Sequence, residues 1–123
     1  MPKVPVSLVT LGDEPIEVRF SFRALMAAEK AYGKNIIREF MFGEGLGLRA
    51  TACMVWAAVN LQHPAKNLKL EQVADLLEES PDGILGIVNE IGKVLLPLIT
   101  GSRPPEEVKQ SEGDAEESPS PKN

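Results

Sequence analysis

The chain has 123 residues, enough for one domain with a modest hydrophobic core. Its net charge of −5 argues against a nucleic-acid partner, because proteins that bind nucleic acids present a basic face to the phosphates. The single cysteine, Cys53, excludes an intramolecular disulfide. Its place in the apolar run 52–58 predicts a small buried side chain and not a reactive thiol.

The sequence shows no secretory signal, since its first residues lead into a strand pattern and not into an apolar helix. The longest uncharged stretch, Ala50–Gln62, is shorter than the roughly 20 residues that a membrane-spanning helix needs. We therefore expect a soluble, cytoplasmic protein with no membrane partner.

Two short stretches near the N-terminus alternate apolar and polar residues, as half-buried strands do. Val4, Val6 and Leu8 form the first alternation, and a turn cluster at 12–15 separates it from the second. We predict a β-hairpin from this pattern. The apolar face of its second strand comprises Ile16, Val18, Phe20 and Phe22.

The second strand runs almost without a loop into a predicted helix. From Phe22 to Tyr32 the apolar residues follow the helical period, with Ser21 as N-cap and Gly33 as the C-terminal stop. The predicted buried face of this helix comprises Phe22, Leu25, Met26, Ala28 and Tyr32.

Four further helices are predicted. A short one covers 35–41 with Asn35 as its N-cap, and a longer one covers 48–62. The longer helix is apolar on nearly every side, which predicts a central place in the bundle. Another covers 70–79, and the last follows Ser80 as N-cap and Pro81 as first helical residue.

The helical pattern stops at Arg103, where a segment rich in Ser, Glu and Pro begins. Such a segment has too little apolar surface to offset its ordering entropy, so we expect 103–123 to be a disordered acidic tail after a domain at 1–102. The predicted fold class is α+β, mainly α, with an N-terminal β-hairpin packed on a small bundle of four to five helices.

The residues give little support for an enzyme, a cofactor or a metal site. His63 is the only histidine, and without a second histidine or clustered cysteines a zinc site is not expected. The glycine-rich run 43–47 lacks the Gly-Lys-Ser/Thr ending of a phosphate loop. It also follows a predicted helix, whereas a phosphate loop follows a strand. No set of nucleophile, base and acid can be assembled, and an enzyme is the weakest functional class.

One segment is a candidate for partner binding. Phe40, Met41, Phe42 and Leu46 lie beside the glycine-rich run, and methionine and aromatic side chains adapt well to varied partners. We call these four residues the 40–46 patch. The alternative interpretation is that they close one end of the core, because large apolar side chains are mostly inside.

The order of these pieces resembles that of a known family. The hairpin is followed by Phe20-x-Phe22-x-Ala24-Leu25-x-x-x-Glu29-x-x-x-Gly33, then by an alanine-rich helix and by the helix-opening segment Leu68–Val73. This arrangement, over about 4–100, resembles the tail assembly chaperones of long-tailed bacteriophages and gene transfer agents.

The resemblance implies a non-enzymatic chaperone in the host cytoplasm, absent from the mature virion. Its implied partners are the tape measure protein and the tail tube protein. Such a chaperone would cover the apolar surface of the tape measure protein, and the strand edges of the tube protein, until the tail assembles. Two other classes stay open: a minor structural head-tail or tail completion protein, and a cytoplasmic adaptor unrelated to phages.

The last three residues, Pro121-Lys122-Asn123, add a hypothesis about a longer form of the protein. Tail chaperones of this kind are often made in two forms through a programmed ribosomal frameshift. Pro-Lys-Asn can be encoded as CCA-AAA-AAC, which contains a slippery heptamer. The resemblance therefore adds a frameshifted longer form of this chain as a further expected partner, with the Ser/Pro/Glu segment as its linker.

Overall fold

The computed structural model describes residues 4–43 and 45–101. Within them an N-terminal hairpin is followed by five α-helices, which confirms the predicted fold class. The predicted disordered tail at 103–123 and the boundary at residue 102 lie outside the described residues. The strands and helices in chain order are β1 (Ser7–Leu11), β2 (Glu14–Val18), α1 (Phe22–Tyr32), α2 (Ile36–Phe42), α3 (Leu48–Gln62), α4 (Leu70–Glu78) and α5 (Gly83–Thr100).

The two strands form an antiparallel hairpin in which Val9 lies opposite Ile16. The turn between them includes Gly12, whose φ of +65° favours glycine. Directly paired residues share a face of the sheet, and this face packs against the helices, so both Val9 and Ile16 are buried.

The predicted phase of the first strand is wrong. Val6 and Leu8 are 48% and 55% exposed, whereas Val9 and Leu11 are buried together with Ser7. The strand carries aliphatic side chains on both faces, so its sequence alone does not show which face is inside. The register with β2 decides it, because shifting a strand by one residue exchanges its two faces.

Both predicted caps of α1 are confirmed. The Ser21 hydroxyl oxygen accepts a hydrogen bond from the Ala24 amide at 3.2 Å, and Gly33 has a left-handed φ of +81°. The predicted buried face is wrong in part, because Phe22 and Met26 are 57% and 69% exposed. The buried residues of α1 are Ala24, Leu25 and Ala28.

The packing of α1 against α3 explains this difference. Ala24 and Ala28 face the core, where small side chains let two helix backbones approach closely. The larger Phe22 and Met26 side chains are left on the outer side. Phe22 is the first residue of the helix, so it does not continue the buried face that Phe20 ends.

The start of α2 is capped twice. As predicted, the Asn35 side-chain oxygen accepts from the Arg38 amide at 2.9 Å. In addition, the Glu29 carboxylate of α1 accepts from the Ile36 amide at 2.9 Å and from the Ile37 amide at 3.4 Å. Together they satisfy amides that the first turn of a helix leaves without intrahelical partners.

Helix α3 has the predicted bounds and the predicted central place. Every residue from Ala50 to Val59 except Trp56 is buried. Trp56 and Asn60 hold the loop before α4: their side-chain N–H groups donate to the Leu68 carbonyl at 3.0 and 2.9 Å. The Asn60 side-chain oxygen also accepts from the Leu68 amide at 2.9 Å.

The predicted start of the last helix is wrong. Helix α5 begins at Gly83, and Ser80 and Pro81 belong to the turn before it. The Ser80 hydroxyl oxygen accepts from the Asp82 amide at 3.1 Å, and the left-handed φ of Gly83, +71°, interrupts helical geometry at that point. The hairpin contacts this turn, since the Thr10 amide donates to the Asp82 carboxylate at 3.2 Å.

Candidate functional site

The structure divides the 40–46 patch into a covered pair and an exposed pair. Leu46 is 9% exposed and belongs to the core, and the Phe40 ring lies against Gly92 of α5, where an added Cβ would be 3.6 Å from it. Met41 and Phe42 are 39% and 81% exposed. Phe40 and Leu46 therefore help to close the core, whereas Met41 and Phe42 remain accessible to a partner.

Phe42 borders a shallow depression of about 430 Å³ that extends along one face of α2 and is lined also by Lys34, Arg38 and Glu39. The Tyr32 hydroxyl donates a hydrogen bond to the Glu39 carboxylate at 2.8 Å. This bond, followed by burial and the Glu39 charge, raises the pKa of Tyr32 above its usual 10.0. The depression therefore combines one exposed aromatic ring with a mixed, partly basic rim.

A larger apolar groove lies where α3, α4 and α5 meet, and we call it the α3–α5 groove. Its volume is about 460 Å³. Ala52 and Ile87, both buried, form part of its lining, and Leu77 lies on its α4 side. Leu48 and Ile84, at the first turns of α3 and α5, are 73% and 38% exposed. Large aliphatic side chains thus line a groove that is open to solvent.

An acidic ridge lies on one face of α4 and reaches this groove at the C-terminal end of the helix. Glu71, Asp75 and Glu78 are exposed and follow the i, i+4, i+7 spacing that places residues on one face of a helix. Glu78 itself lines the groove. Within residues 4–43 and 45–101, none of the three has a Lys or Arg nitrogen within 4.0 Å.

Helix α5 adds apolar surface on the outside of the bundle. One face packs inward through Ile87, Ile91, Val94 and Leu95, but Leu85 and Leu96 are 75% and 50% exposed. By length and composition alone α5 could cross a membrane, with a mean hydropathy of 1.5 and 22% of its window buried. The sequence of α5 contains no long uncharged run, because Glu90 and Lys93, which form an ion pair at 3.2 Å, interrupt it. The core helix of a soluble protein can be equally long and apolar, so these properties of α5 do not decide whether it meets a membrane. The absence of a membrane partner therefore stays a prediction.

Cys53 and His63 both lie in contacts that hold the fold together. Cys53 is buried in α3, and its burial raises the pKa of the thiol. The His63 Nε2 atom lies 2.6 Å from the Glu17 carbonyl oxygen and connects the end of α3 to the hairpin. In the part of the chain that the structure describes, no three His, Cys, Asp or Glu side chains are grouped so as to hold a metal ion.

The sequence did not reveal the α3–α5 groove. Leu77 and Ile84 followed the helical period of core residues, and Leu48 marked only a helix start. The ridge did leave a signal, because Glu71, Asp75 and Glu78 recur on one face of the predicted fourth helix. The apolar side chains of this groove stay exposed because of how α3, α4 and α5 are spaced around it. The periodicity of a single helix does not predict the spacing between helices.

Comparison of the chain with protein-family models, with curated proteins and with solved structures finds no match.

Proposed function

We propose that this protein is a non-enzymatic tail assembly chaperone that binds an apolar segment of a tape measure protein, a tail tube protein or both, and keeps it soluble until the tail assembles. In this proposal it acts in the host cytoplasm and is absent from the mature virion. The tail chaperone assignment comes from the sequence resemblance over about 4–100. The structural observation that supports a binding role is the open apolar groove flanked by the acidic ridge.

The physical argument rests on exposed apolar surface. Groups of large apolar side chains that remain open to solvent on a small protein are typical of interaction sites. Here they are distributed over the α3–α5 groove, the outer face of α5 and the accessible half of the 40–46 patch. An unassembled tail protein exposes apolar surface of its own, and covering both surfaces contributes about 25 cal/mol per Å² of apolar area removed from water, before the entropic cost of association is subtracted.

Co-expression tests the proposal. On this proposal the gene for this chain should lie between the genes for a tail tube protein and a tape measure protein. Those two proteins are expressed with and without this chain, and the soluble fraction of each is measured. We expect this chain to raise the soluble fraction of at least one and to co-purify with it. If neither protein gains solubility nor binds the chain, the chaperone function is wrong.

A second measurement separates the chaperone from the structural alternative. Purified virions are analysed for this chain by mass spectrometry, with the tail tube protein as the positive control. The chaperone proposal requires its absence from the particle. A stoichiometric amount in finished tails would instead identify a head-tail or tail completion protein.

The contribution of the 40–46 patch is tested with two exposed phenylalanines. Phe42→Ala removes the 81% exposed ring beside the depression, and Phe22→Ala removes a 57% exposed ring at the start of α1. We expect Phe42→Ala to weaken client binding and Phe22→Ala to leave it unchanged. Equal binding by the two variants and the unmodified chain would remove the patch from the interface without touching the proposed function.

A further inference from the structure

We propose that the α3–α5 groove binds an amphipathic helix of a partner protein, whose apolar side chains fill the groove and whose Lys or Arg side chains pair with the acidic ridge of Glu71, Asp75 and Glu78. This assigns a surface and a ligand chemistry to the proposed binding function. Only the partner's identity rests on that function, because the groove and the ridge are features of this chain.

The dimensions of the groove fit such a helix. A cavity of about 150 Å³ holds one benzene-sized group, so 460 Å³ has room for roughly two or three apolar side chains. A helix that docks in a groove inserts a similar number of anchors at i, i+3 or i+4, and i+7. Leu48 and Ile84 lie where such anchors would enter, and buried Ala52 and Ile87 form apolar surface beneath them.

The charge of the groove's edge selects the occupant. Glu71 and Asp75 are like charges at i, i+4, an arrangement that destabilises a helix by a few tenths of a kcal/mol. A cation placed beside them relieves this repulsion, and Glu78 extends the negative edge to the groove itself. A helix with lysines or arginines beside its apolar stripe is therefore favoured over an acidic or neutral one.

The same charge argument disfavours occupation by this chain itself. Residues 102–123 contain six acidic residues against three basic ones, and apart from prolines their only aliphatic side chain larger than alanine is Val108. A second copy would bring its own acidic ridge towards the first. Like charges across an interface oppose both arrangements.

The test uses two fluorescein-labelled helical peptides and fluorescence anisotropy. Both carry the same leucine stripe, flanked by lysines in one peptide and by glutamates in the other. We expect the full chain to bind the lysine peptide about tenfold more tightly, a ratio that about 1.4 kcal/mol from two or three exposed ion pairs supplies. Equal affinity for the two peptides would overturn the role of the ridge.

Two matched variants locate the binding. Leu48→Ser and Phe22→Ser each replace a more than half-exposed apolar residue at the first position of a helix by the same neutral residue. We expect Leu48→Ser to weaken the binding of both peptides about tenfold or more, because the docked helix would bury the leucine side chain, and Phe22→Ser to have no effect. If both variants bind alike, the peptides do not occupy the groove and the proposal fails.

Charge reversal tests the ridge itself. Glu78→Lys should weaken binding of the lysine peptide and strengthen binding of the glutamate peptide. Glu17 is an exposed acidic residue on the hairpin, and Glu17→Lys should alter the binding of neither peptide. Circular dichroism checks that every variant is folded. If Leu48→Ser is not folded, Ala74→Gln is used in its place. Ala74 lines the groove from an exposed position on α4, so the larger glutamine side chain should likewise weaken binding of both peptides.

Two outcomes would identify a different occupant. If the chain sediments as a dimer and Leu48→Ser makes it a monomer, a second copy fills the groove. If removal of residues 102–123 strengthens binding of the lysine peptide about tenfold, this chain's own segment competes for it. Either result would overturn the partner helix, and neither bears on whether the chain raises the solubility of tail proteins.

Discussion

Replacing Phe20 and Phe22 separately by alanine tests how the hairpin joins the helices. The two residues are next neighbours in the alternating pattern, and the pattern predicts the same burial for both. The structure instead leaves Phe20 fully buried and Phe22 57% exposed. Phe20→Ala removes a ring from the closed core between β2 and α1, whereas Phe22→Ala shortens a side chain that solvent already reaches.

The expected magnitudes differ severalfold. Truncation of a fully buried phenylalanine costs about 3–5 kcal/mol, because the transfer free energy of the ring is lost and a cavity remains. The total stability of a small domain is only about 5–15 kcal/mol, so Phe20→Ala approaches the limit of folding. Phe22→Ala should cost about 1 kcal/mol or less, since surface substitutions usually have small effects.

Urea denaturation provides the measurement, followed by the fluorescence of Trp56, the only tryptophan. With a slope of about 1.5 kcal/mol per molar, a loss of 3–5 kcal/mol lowers the midpoint by about 2–3 M. Phe22→Ala should lower it by well under 1 M. Equal shifts for the two variants would refute the assignment of Phe20 to the core and of Phe22 to the surface.

Three further predictions concern polar and ionisable groups. Glu29→Ala removes the acceptor of two α2 amides and should lower the free energy of unfolding, measured in urea, by about 1–2 kcal/mol. Glu29→Gln keeps an acceptor oxygen and should retain most of this stability, so equal losses in the two variants would contradict capping by Glu29. Ultraviolet titration of Tyr32, the only tyrosine, should give a pKa above 10.0 that falls in Glu39→Gln. Because the pKa of Tyr32 is higher in the folded state, the bond to Glu39 contributes fully to stability below the usual pKa of 10.0, and this contribution is lost as the pH rises through the higher folded pKa. Cys53 should react with a thiol reagent such as DTNB only in denaturant, and rapid reaction of the native protein would show that α3 is not central.

Several features of the fold were predictable from the sequence because each depends on neighbouring residues. Ser21, Gly33 and Asn35 satisfy or end the backbone of the helix beside them, and the structure confirms all three. The bounds of α3 follow in the same way from a long apolar run that ends before Pro64. The order of the elements, on which the resemblance depends, and the net charge of −5 are likewise properties of the sequence.

The tertiary structure decided which of two apolar faces is inside. In β1 the register with β2 buries Val9 and leaves Leu8 exposed, and in α1 the close packing on α3 favours Ala24 over Met26. At the turn before α5, the Thr10 amide of the hairpin donates a hydrogen bond to the Asp82 carboxylate, next to the first helical residue Gly83. Each choice depends on a partner distant in the chain, which local periodicity does not specify.

The candidate site shows the same division. The sequence named Phe40, Met41, Phe42 and Leu46 together as a candidate patch, and only the structure shows that Met41 and Phe42 are the exposed pair. The acidic spacing on α4 is present in the sequence but was not predicted as a site. The sequence did not supply the α3–α5 groove, because Leu48 and Ile84 are 36 residues apart in the chain and line one groove only when α3, α4 and α5 are assembled. Local chemistry thus determined the caps of α1 and α2, the bounds of α3 and the charges, and long-range packing determined which apolar side chains remain open to a partner.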